Sequence, residues 1–184
     1  QTCISANRIY VQHSILNAFA EKLSERVRNL KLGDGLDPTV DVGPLIDEDA
    51  LRKVELQVED AAAKGARIMT GGRRIKPEGL PGAFYEPTVL CDVDESMRIG
   101  FEETFGPVAP IISFNTEEEV LERANRIDYG LAAYAFTKDA ARTFRVAERL
   151  EYGVIGVNDA LPSAAQAPFG GWKESGIGRE GGTY

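Results

Sequence analysis

The side chain with the strongest intrinsic reactivity in this sequence belongs to Cys3. A cysteine attacks as its thiolate, and a nearby cation or helix N-terminus favours that form by lowering the thiol pKa from its usual value of about 8.5. Residues 5–7 are compatible with a short helical turn whose backbone amides point back at the sulfur. Residues 1–8 alone, however, favour the alternative that Cys3 is an unreactive thiol.

No other residue of the sequence completes a thiol-protease constellation. The single histidine, His13, follows a β-prone run at residues 8–11, so we expect it on the surface or at a helix start. Cys91 ends another β-prone run and is expected to face the core as an inert side chain. Two widely separated cysteines and one histidine predict neither a disulfide framework nor a metal site.

A second candidate is the acidic pair Glu102 and Glu103 in the segment 102–107, EETFGP. A solvated acidic turn is the simpler interpretation of two adjacent carboxylates. The Phe-Gly-Pro that follows, however, predicts a rigid turn, which would fix the direction in which a carboxylate points. A carboxylate held in this way can accept hydrogen bonds from both hydroxyls of a ribose.

A third candidate region, residues 159–184, is rich in glycine and lacks hydrophobic periodicity. This composition predicts a loop, and long loops in compact domains are often functional. Its glycines do not form the G-x-G-x-x-G fingerprint between a strand and a helix. The region therefore predicts no phosphate-binding site of its own.

Composition excludes several classes of function. The 184 residues suit one domain or a large part of one, with 43% hydrophobic and 27% charged residues. A formal net charge of −8 argues against nucleic-acid binding, which requires clustered Lys and Arg. No apolar run reaches the roughly 20 residues that cross a bilayer, and no segment resembles a signal peptide. We therefore expect no nucleic-acid or membrane partner and a cytoplasmic location.

Alternating strands and helices are predicted to position these residues. Helical spacing of apolar residues predicts helices from the N-cap Ser14 to a stop at Gly33, from about 47 to 65, after Thr116, and from about 139 to 150. Thr116 and Glu119 have the spacing of a capping box. Strands are predicted at residues 8–11, 66–70, 88–91, 109–114, 131–136 and 154–157, and residues 71–87 are expected to be a surface excursion.

Each predicted helix is expected to bury one apolar face. Strands that alternate with helices along much of the chain predict an α/β fold, with helices layered around a largely parallel sheet. The residues expected inside are Ile15, Leu16, Phe19, Ala20, Leu23, Val27 and Leu30, then Leu51, Val54, Val58 and Ala62, then Val120, Leu121, Ala124 and Ile127, and finally Phe144, Val146 and Leu150.

Three ordered motifs resemble the aldehyde dehydrogenase superfamily, and the resemblance extends over essentially all 184 residues. The motifs are QTC at 1–3, EETFGP at 102–107, and Asn158 followed by PFGGWKESGIGRE at 168–180. The fold implied by this resemblance is that of the superfamily's catalytic domain.

The resemblance also implies roles for particular residues. Cys3 would be the nucleophile, Glu103 would hold the nicotinamide ribose of NAD or NADP, Phe105 would flank the nicotinamide, and Phe169 would line the aldehyde tunnel. The Cys3 thiolate would attack a small-molecule aldehyde, with the oxyanion stabilised by the Cys3 backbone amide and a side-chain amide. Hydride transfer to NAD(P)+ and hydrolysis of the thioester would then release the acid.

Other parts of the family's machinery are expected outside this sequence. In the family, the general-base Glu, the oxyanion Asn and the Rossmann-like cofactor domain precede the nucleophile, and an oligomerisation strand follows the last motif. Residues 1–184 are therefore expected to form a single, partial catalytic domain without turnover of its own. The full-length protein is expected to be a homodimer or homotetramer.

The substrate is suggested by two further stretches, which resemble succinate-semialdehyde dehydrogenases: residues 6–8 (ANR) after QTC, and the loop 157–163. In that family a serine five residues after the Asn binds the distal carboxylate, and Ser163 stands there. The alternative is that Ser163 is only a loop residue after Pro162. Ser5 occupies the place of a second, redox-active cysteine in some members, so no such switch is expected.

Two alternatives remain beside a dehydrogenase for succinate semialdehyde. One is a dehydrogenase for another polar aldehyde, of the betaine type or aliphatic. The other is a domain without chemistry that acts as a binding or scaffold module.

Overall fold

The computed structural model describes residues 1–183, which form two compact units. The first unit comprises residue 1 and residues 7–115, and the second comprises residues 2–6 and 116–183. Within residues 1–183, no helix has the length and apolar composition needed to span a bilayer.

The first unit is a layered α/β structure with short 3-10 turns at His13–Ile15 and Arg98–Gly100. Its elements in chain order are β1 (Ile9–Gln12), α1 (Leu16–Arg28), α2 (Glu48–Ala63), β2 (Arg67–Thr70), β3 (Arg74–Ile75), β4 (Phe84–Tyr85), β5 (Thr88–Cys91) and β6 (Val108–Phe114).

A four-stranded sheet in the order β1-β6-β5-β2 forms the centre of this unit. β6 pairs in parallel with both β1 and β5, and β2 pairs antiparallel with β5. Successive side chains of a strand point to opposite faces, so Val89 and Ile111 pack with the apolar face of α1, whereas Leu90 and Ile112 pack with that of α2. The predicted α/β layering around a largely parallel sheet is confirmed.

The helix α2 begins where the sequence predicts. Asp47 is its N-cap, and the Asp47 carboxylate accepts a hydrogen bond from the Ala50 amide at 2.8 Å. Leu51, Val54 and Val58 are buried as expected. The prediction was wrong for Ala62, which is exposed; its neighbour Ala61 takes the inward position.

The helix α1 differs from its prediction at both ends. Ser14 is not an N-cap, because residues 13–15 form a 3-10 turn and the α-helix begins at Leu16. The helix stops at Arg28 rather than near Gly33, because the Asn29 side chain donates to the Glu25 carbonyl at 3.0 Å and ends the backbone ladder. Ile15 and Leu30 therefore lie outside the α-helix and are exposed. The prediction that Phe19 is inside was also wrong, since this residue of α1 is 36% exposed.

The region 71–87 is not only a surface excursion. It contains the antiparallel pair β3–β4, and Ala83, Phe84 and Tyr85 are almost completely buried. Arg74 on β3 forms ion pairs with Glu48 and Glu55 of α2. The prediction missed this hairpin because the glycines and prolines around it are typical of loops and its apolar run is short.

The second unit contains α3 (Glu117–Asn125), β7 (Tyr129–Gly130), β8 (Ala132–Ala135), α4 (Ala140–Arg149), β9 (Val154–Val157) and β10 (Trp172–Lys173). β8 and β9 pair in parallel, and β7 pairs antiparallel with β10. The Thr116 hydroxyl accepts from the Glu119 amide at 3.2 Å, as the predicted capping box requires. The carboxylate of Glu119 pairs with Arg123.

The apolar cluster of this unit is built on Leu121, Val146 and Leu150. The prediction that Phe144 is inside was wrong, since 69% of it is exposed. Val146 and Leu150 are four residues apart and share a helix face, whereas Phe144 lies about 200° around the helix from Val146. The expected loop over 159–184 includes residue 184, which lies outside the described residues. Its described part contains β10 and an isolated bridge between Phe169 and Glu180.

Candidate active site

Cys3 lies on a hydrogen-bonded turn of the second unit with its side chain exposed. The Ser5 amide donates to the Thr2 carbonyl at 2.9 Å, which places Cys3 and Ile4 at the centre of the turn. The helical turn expected over residues 5–7 does not form. The thiol is therefore presented by a tight turn and not by a helical turn at residues 5–7.

Tyr134 of β8 supports this turn. The Tyr134 hydroxyl donates to the Ile4 carbonyl at 2.6 Å. Burial raises the pKa of Tyr134, and the nearby negative charges of the Cys3 thiolate and the Asp159 carboxylate raise it further. The phenol therefore stays protonated and able to donate, and it stands close to both the Cys3 turn and the start of the loop that carries Ser163.

His13 and Cys91 belong to the first unit and behave as predicted. His13 is exposed, and its Nδ1 lies 3.2 Å from the Ser113 hydroxyl. Cys91 is 1% exposed, and burial raises the pKa of its thiol. The described residues contain no cluster of His, Cys, Asp and Glu able to hold a metal ion.

The segment 102–107 of the first unit is called the acidic turn below. Its two carboxylates, those of Glu102 and Glu103, differ in their hydrogen-bond partners. Glu102 accepts hydrogen bonds from Arg98 at 2.9–3.2 Å and from Gln57 at 3.3 Å. The Arg98 hydrogen bonds hold the pKa of Glu102 below its usual value. Glu103 is exposed, and its carboxylate has no hydrogen-bond or ion-pair partner among residues 1–183. Glu103 is thus the carboxylate that can accept hydrogen bonds from a ligand.

Phe105 and Gly106 give the acidic turn its shape. Phe105 has a left-handed backbone conformation with φ 53°, and 39% of the residue is exposed, which leaves part of it accessible to a ligand. A Cβ on Gly106 would lie 2.4 Å from a methyl group of the buried Val54. Glycine is required here because the backbone touches α2.

The residues 168–180, called the glycine-rich segment below, pack main chain against main chain. A Cβ on Gly170 would lie 2.4 Å from the Gly178 carbonyl oxygen, and one on Gly153 would lie 1.8 Å from the Gly170 carbonyl oxygen. Phe169 is half-buried and exchanges two 2.7 Å backbone hydrogen bonds with Glu180. These glycines permit close packing of main chain against main chain.

Lys173 and Ser175 of the same segment are structural. The Lys173 ammonium donates to the carbonyls of Asn125 and Ile127 at 2.5 and 3.0 Å, where it caps the end of α3, and pairs with Glu151 at 2.6 Å. The Ser175 hydroxyl accepts from an amide of β7 at 2.9 Å.

Asn158 anchors the loop in which Ser163 lies. Its carboxamide donates to the Thr137 carbonyl and accepts from the Thr137 amide, both at 2.9 Å, in a left-handed conformation with φ 56°. Ser163 is exposed, and its hydroxyl has no protein partner among the described residues. The serine is therefore available to a ligand.

The five site residues thus fall into two groups. Cys3, Ser163 and Phe169 lie in the second unit, where the Cys3 turn and the loop from Asp159 approach the same tyrosine. Glu103 and Phe105 lie together on the acidic turn of the first unit. Sequence reasoning missed two supporting residues, Tyr134 and Asn7, because their contacts span 130 and more than 90 positions of the chain.

Comparison with known proteins identifies what this chain is similar to. The model of the aldehyde dehydrogenase family matches residues 1–184. A protein from Sinorhizobium fredii named probable succinate-semialdehyde dehydrogenase, with NADP(+) in its name, is 54% identical over the whole chain, which covers 37% of that relative. A 3-sulfolactaldehyde dehydrogenase from Pseudomonas putida is 52% identical, with 100% and 37% of the two chains covered.

A solved structure shows the same fold at high similarity. The crystal structure of an aldehyde dehydrogenase from Brucella melitensis biovar abortus superposes with a TM-score of 0.95 at 50% identity, over 100% of this chain and 37% of that one. The chain therefore spans little more than a third of the length of the relatives that it matches.

Proposed function

This chain belongs to the aldehyde dehydrogenase family, and from that premise we propose that the full-length protein oxidises succinate semialdehyde to the carboxylic acid with NAD(P)+. The observation that carries the proposal is the exposed thiol of Cys3, presented on a supported turn. The 54% identity to a relative with a succinate-semialdehyde dehydrogenase name supports the choice of substrate.

Cys3 supplies the covalent step. Its thiolate attacks the aldehyde carbon, and the carbonyl oxygen becomes the oxyanion of a thiohemiacetal. The Cys3 backbone amide is one donor to this oxyanion. A bound NAD(P)+ would supply the acceptor for the hydride that leaves this carbon. Water then attacks the resulting Cys3 thioester, which releases the acid and regenerates the thiol.

Glu103 and Phe105 fit a nicotinamide nucleoside. The unpaired carboxylate of Glu103 has two oxygens that can accept hydrogen bonds from the two hydroxyls of a ribose. The ring of the partly exposed Phe105, two residues later, offers a flat apolar face to a nicotinamide. The relative from Sinorhizobium fredii carries NADP(+) in its name, which favours NADP over NAD.

Ser163 and Phe169 are assigned to the substrate. The free hydroxyl of Ser163 donates to the distal carboxylate of the aldehyde, and the half-buried ring of Phe169 lines the path to Cys3. A specific observation supports a second candidate, 3-sulfolactaldehyde, because a relative with that name is 52% identical. Both aldehydes carry an anionic group remote from the carbonyl.

The remaining machinery is assigned to other parts of the full-length enzyme. We propose that residues 1–184 form part of its catalytic domain. The general-base Glu, the oxyanion Asn and the main cofactor-binding domain would lie outside this segment. Assembly into a homodimer or homotetramer and a cytoplasmic location belong to the same proposal.

Steady-state kinetics of the full-length enzyme test the substrate. We expect kcat/KM to be highest for succinate semialdehyde, with 3-sulfolactaldehyde next, and far lower for betaine aldehyde and propanal. Ser163→Ala should lower kcat/KM for succinate semialdehyde about tenfold, because a hydrogen bond to a charged group is lost, and leave propanal unaffected. Ser14→Ala is the matched control, since Ser14 is exposed. Equal activity on propanal and succinate semialdehyde would reject the substrate assignment.

A further inference from the structure

Asn7 holds the acidic turn at two points of its main chain. The Asn7 Oδ1 accepts a hydrogen bond from the Thr104 amide at 2.9 Å, and the Asn7 Nδ2 donates to the Glu102 carbonyl at 3.1 Å. Asn7 is half-buried, and Thr104 is 3% exposed. One carboxamide therefore closes both ends of a three-residue stretch.

The residue between these two points is Glu103. The side chain of Glu102 is committed to Arg98 and Gln57, so this neighbour cannot swing away with the turn. The carboxylate of Glu103 itself has no protein partner among residues 1–183. Its direction is therefore set by its backbone, which Asn7 holds on both sides of Glu103.

We propose that Asn7 is the positioning residue that orients the Glu103 carboxylate for the cofactor. The inference rests on the proposed function, in which Glu103 binds the ribose of NAD(P). Neither half of the carboxamide suffices alone, because the two contacts require one acceptor and one donor. Displacing a binding group by about 1 Å costs orders of magnitude in rate in well-organised sites, so the loss of both contacts should be measurable as weaker cofactor binding.

The test uses the full-length enzyme and the dissociation constant of NADPH from its fluorescence, with kinetics measured in parallel. Asn7→Ala should raise the NADPH dissociation constant and the KM for NADP+ about tenfold, and the aldehyde KM less than about twofold. Asn7→Asp keeps the acceptor for the Thr104 amide but turns a carboxylate oxygen towards the Glu102 carbonyl oxygen, so its effect should be at least as large as that of Asn7→Ala. Asn17→Ala, at an exposed position of α1, is the control.

A double-mutant cycle separates positioning from general stabilisation. If Asn7 acts through Glu103, Asn7→Ala should change the NADPH dissociation constant less than about twofold in a Glu103→Gln background. Full additivity, or an Asn7 variant with a lower unfolding temperature and unchanged NADPH affinity, overturns the inference. An unchanged affinity in Glu103→Gln alone also overturns it. Absence of aldehyde oxidation by the wild type would reject the proposed function, while the binding titration still tests Asn7.

Discussion

The acidic turn and the glycine-rich segment are both irregular, but different contacts hold them. In the acidic turn, the side chains of Asn7 and Arg98 reach in with hydrogen bonds of 2.9–3.2 Å. In the glycine-rich segment, main chain packs directly on main chain, so that a Cβ at Gly170 or Gly171 would lie 2.4 Å from a carbonyl oxygen.

The difference predicts two kinds of response to mutation. A side-chain clamp can be weakened in steps, since a conservative replacement keeps some of its hydrogen bonds. A contact between two backbones has no such intermediate, because any Cβ meets an atom that cannot move alone. The acidic turn should therefore respond by graded loss of ligand binding, and the glycine-rich segment by loss of folding.

Gly153→Ala should have the largest effect of the changes considered. The new methyl group would lie 1.8 Å from the Gly170 carbonyl oxygen. The backbone at residue 153, directly before β9, and the glycine-rich segment would therefore have to move apart. We expect a loss of stability of about 3 kcal/mol or more, at the upper end of overpacking, measured by denaturant unfolding of the full-length enzyme. Gly178→Ala is the control, because nothing lies within 4 Å of its Cβ. Equal stability of the two variants would refute the main-chain packing account.

Gly106→Ala tests the one point at which the acidic turn also depends on a glycine. Its methyl group meets the Val54 side chain at 2.4 Å, and a side chain can be shortened. We expect a destabilisation of about 1–3 kcal/mol that Val54→Ala partly relieves. The coupling energy from a double-mutant cycle of unfolding free energies measures this relief. Additive effects of the two changes would show that the contact is not the cause.

Lys173→Met removes the hydrogen bonds and the ion pair of a side chain in the glycine-rich segment. The Asn125 and Ile127 carbonyls lose their donor and Glu151 loses its partner, which we expect to cost about 1–2 kcal/mol. Thermal unfolding, compared with the exposed-site variant Lys138→Met, measures the effect. A stability unchanged from that of the control would exclude a capping role.

The smallest effect is expected from the surface pairs that join α3 and α4. Hydrogen bonds from Arg145 and Arg142 lower the pKa of Glu117 from 4.5 to about 2. A lowered folded-state pKa means that the contribution to stability is present above pH 4.5 and is lost as the pH falls towards 2. Unfolding free energies of the wild type should therefore decline more steeply between about pH 5 and 2 than those of Glu117→Gln. Parallel curves would contradict this assignment.

Much of the fold was predictable because its elements are locally periodic. The strand β9 has the predicted bounds, and Asp47 and Asp139 cap α2 and α4 where the predicted helices begin. The β3–β4 hairpin was not predictable, because its buried residues 83–85 are too few to show a period. The exposure of Phe144 was not predictable either, because it depends on which face of α4 packs against the strands, and tertiary packing decides this.

The sequence was sufficient to name the candidate site residues. It was not sufficient to distinguish the residues that support the site from those that can bind a ligand. Glu102 is structural because it pairs with Arg98, four residues earlier, and this spacing is a signal in the sequence for an ion pair within a helical turn. The contacts of Asn7 and Tyr134 join distant parts of the chain, which no local spacing encodes.

The most direct test of the account is to find the covalent intermediate. The full-length enzyme is mixed with succinate semialdehyde and NADP+, quenched with acid within one turnover, and digested for mass spectrometry. The account predicts a succinyl group on the peptide containing Cys3, and neither the adduct nor turnover in Cys3→Ala. A succinyl adduct at Cys91 instead, or aldehyde oxidation that persists in Cys3→Ala, would contradict it.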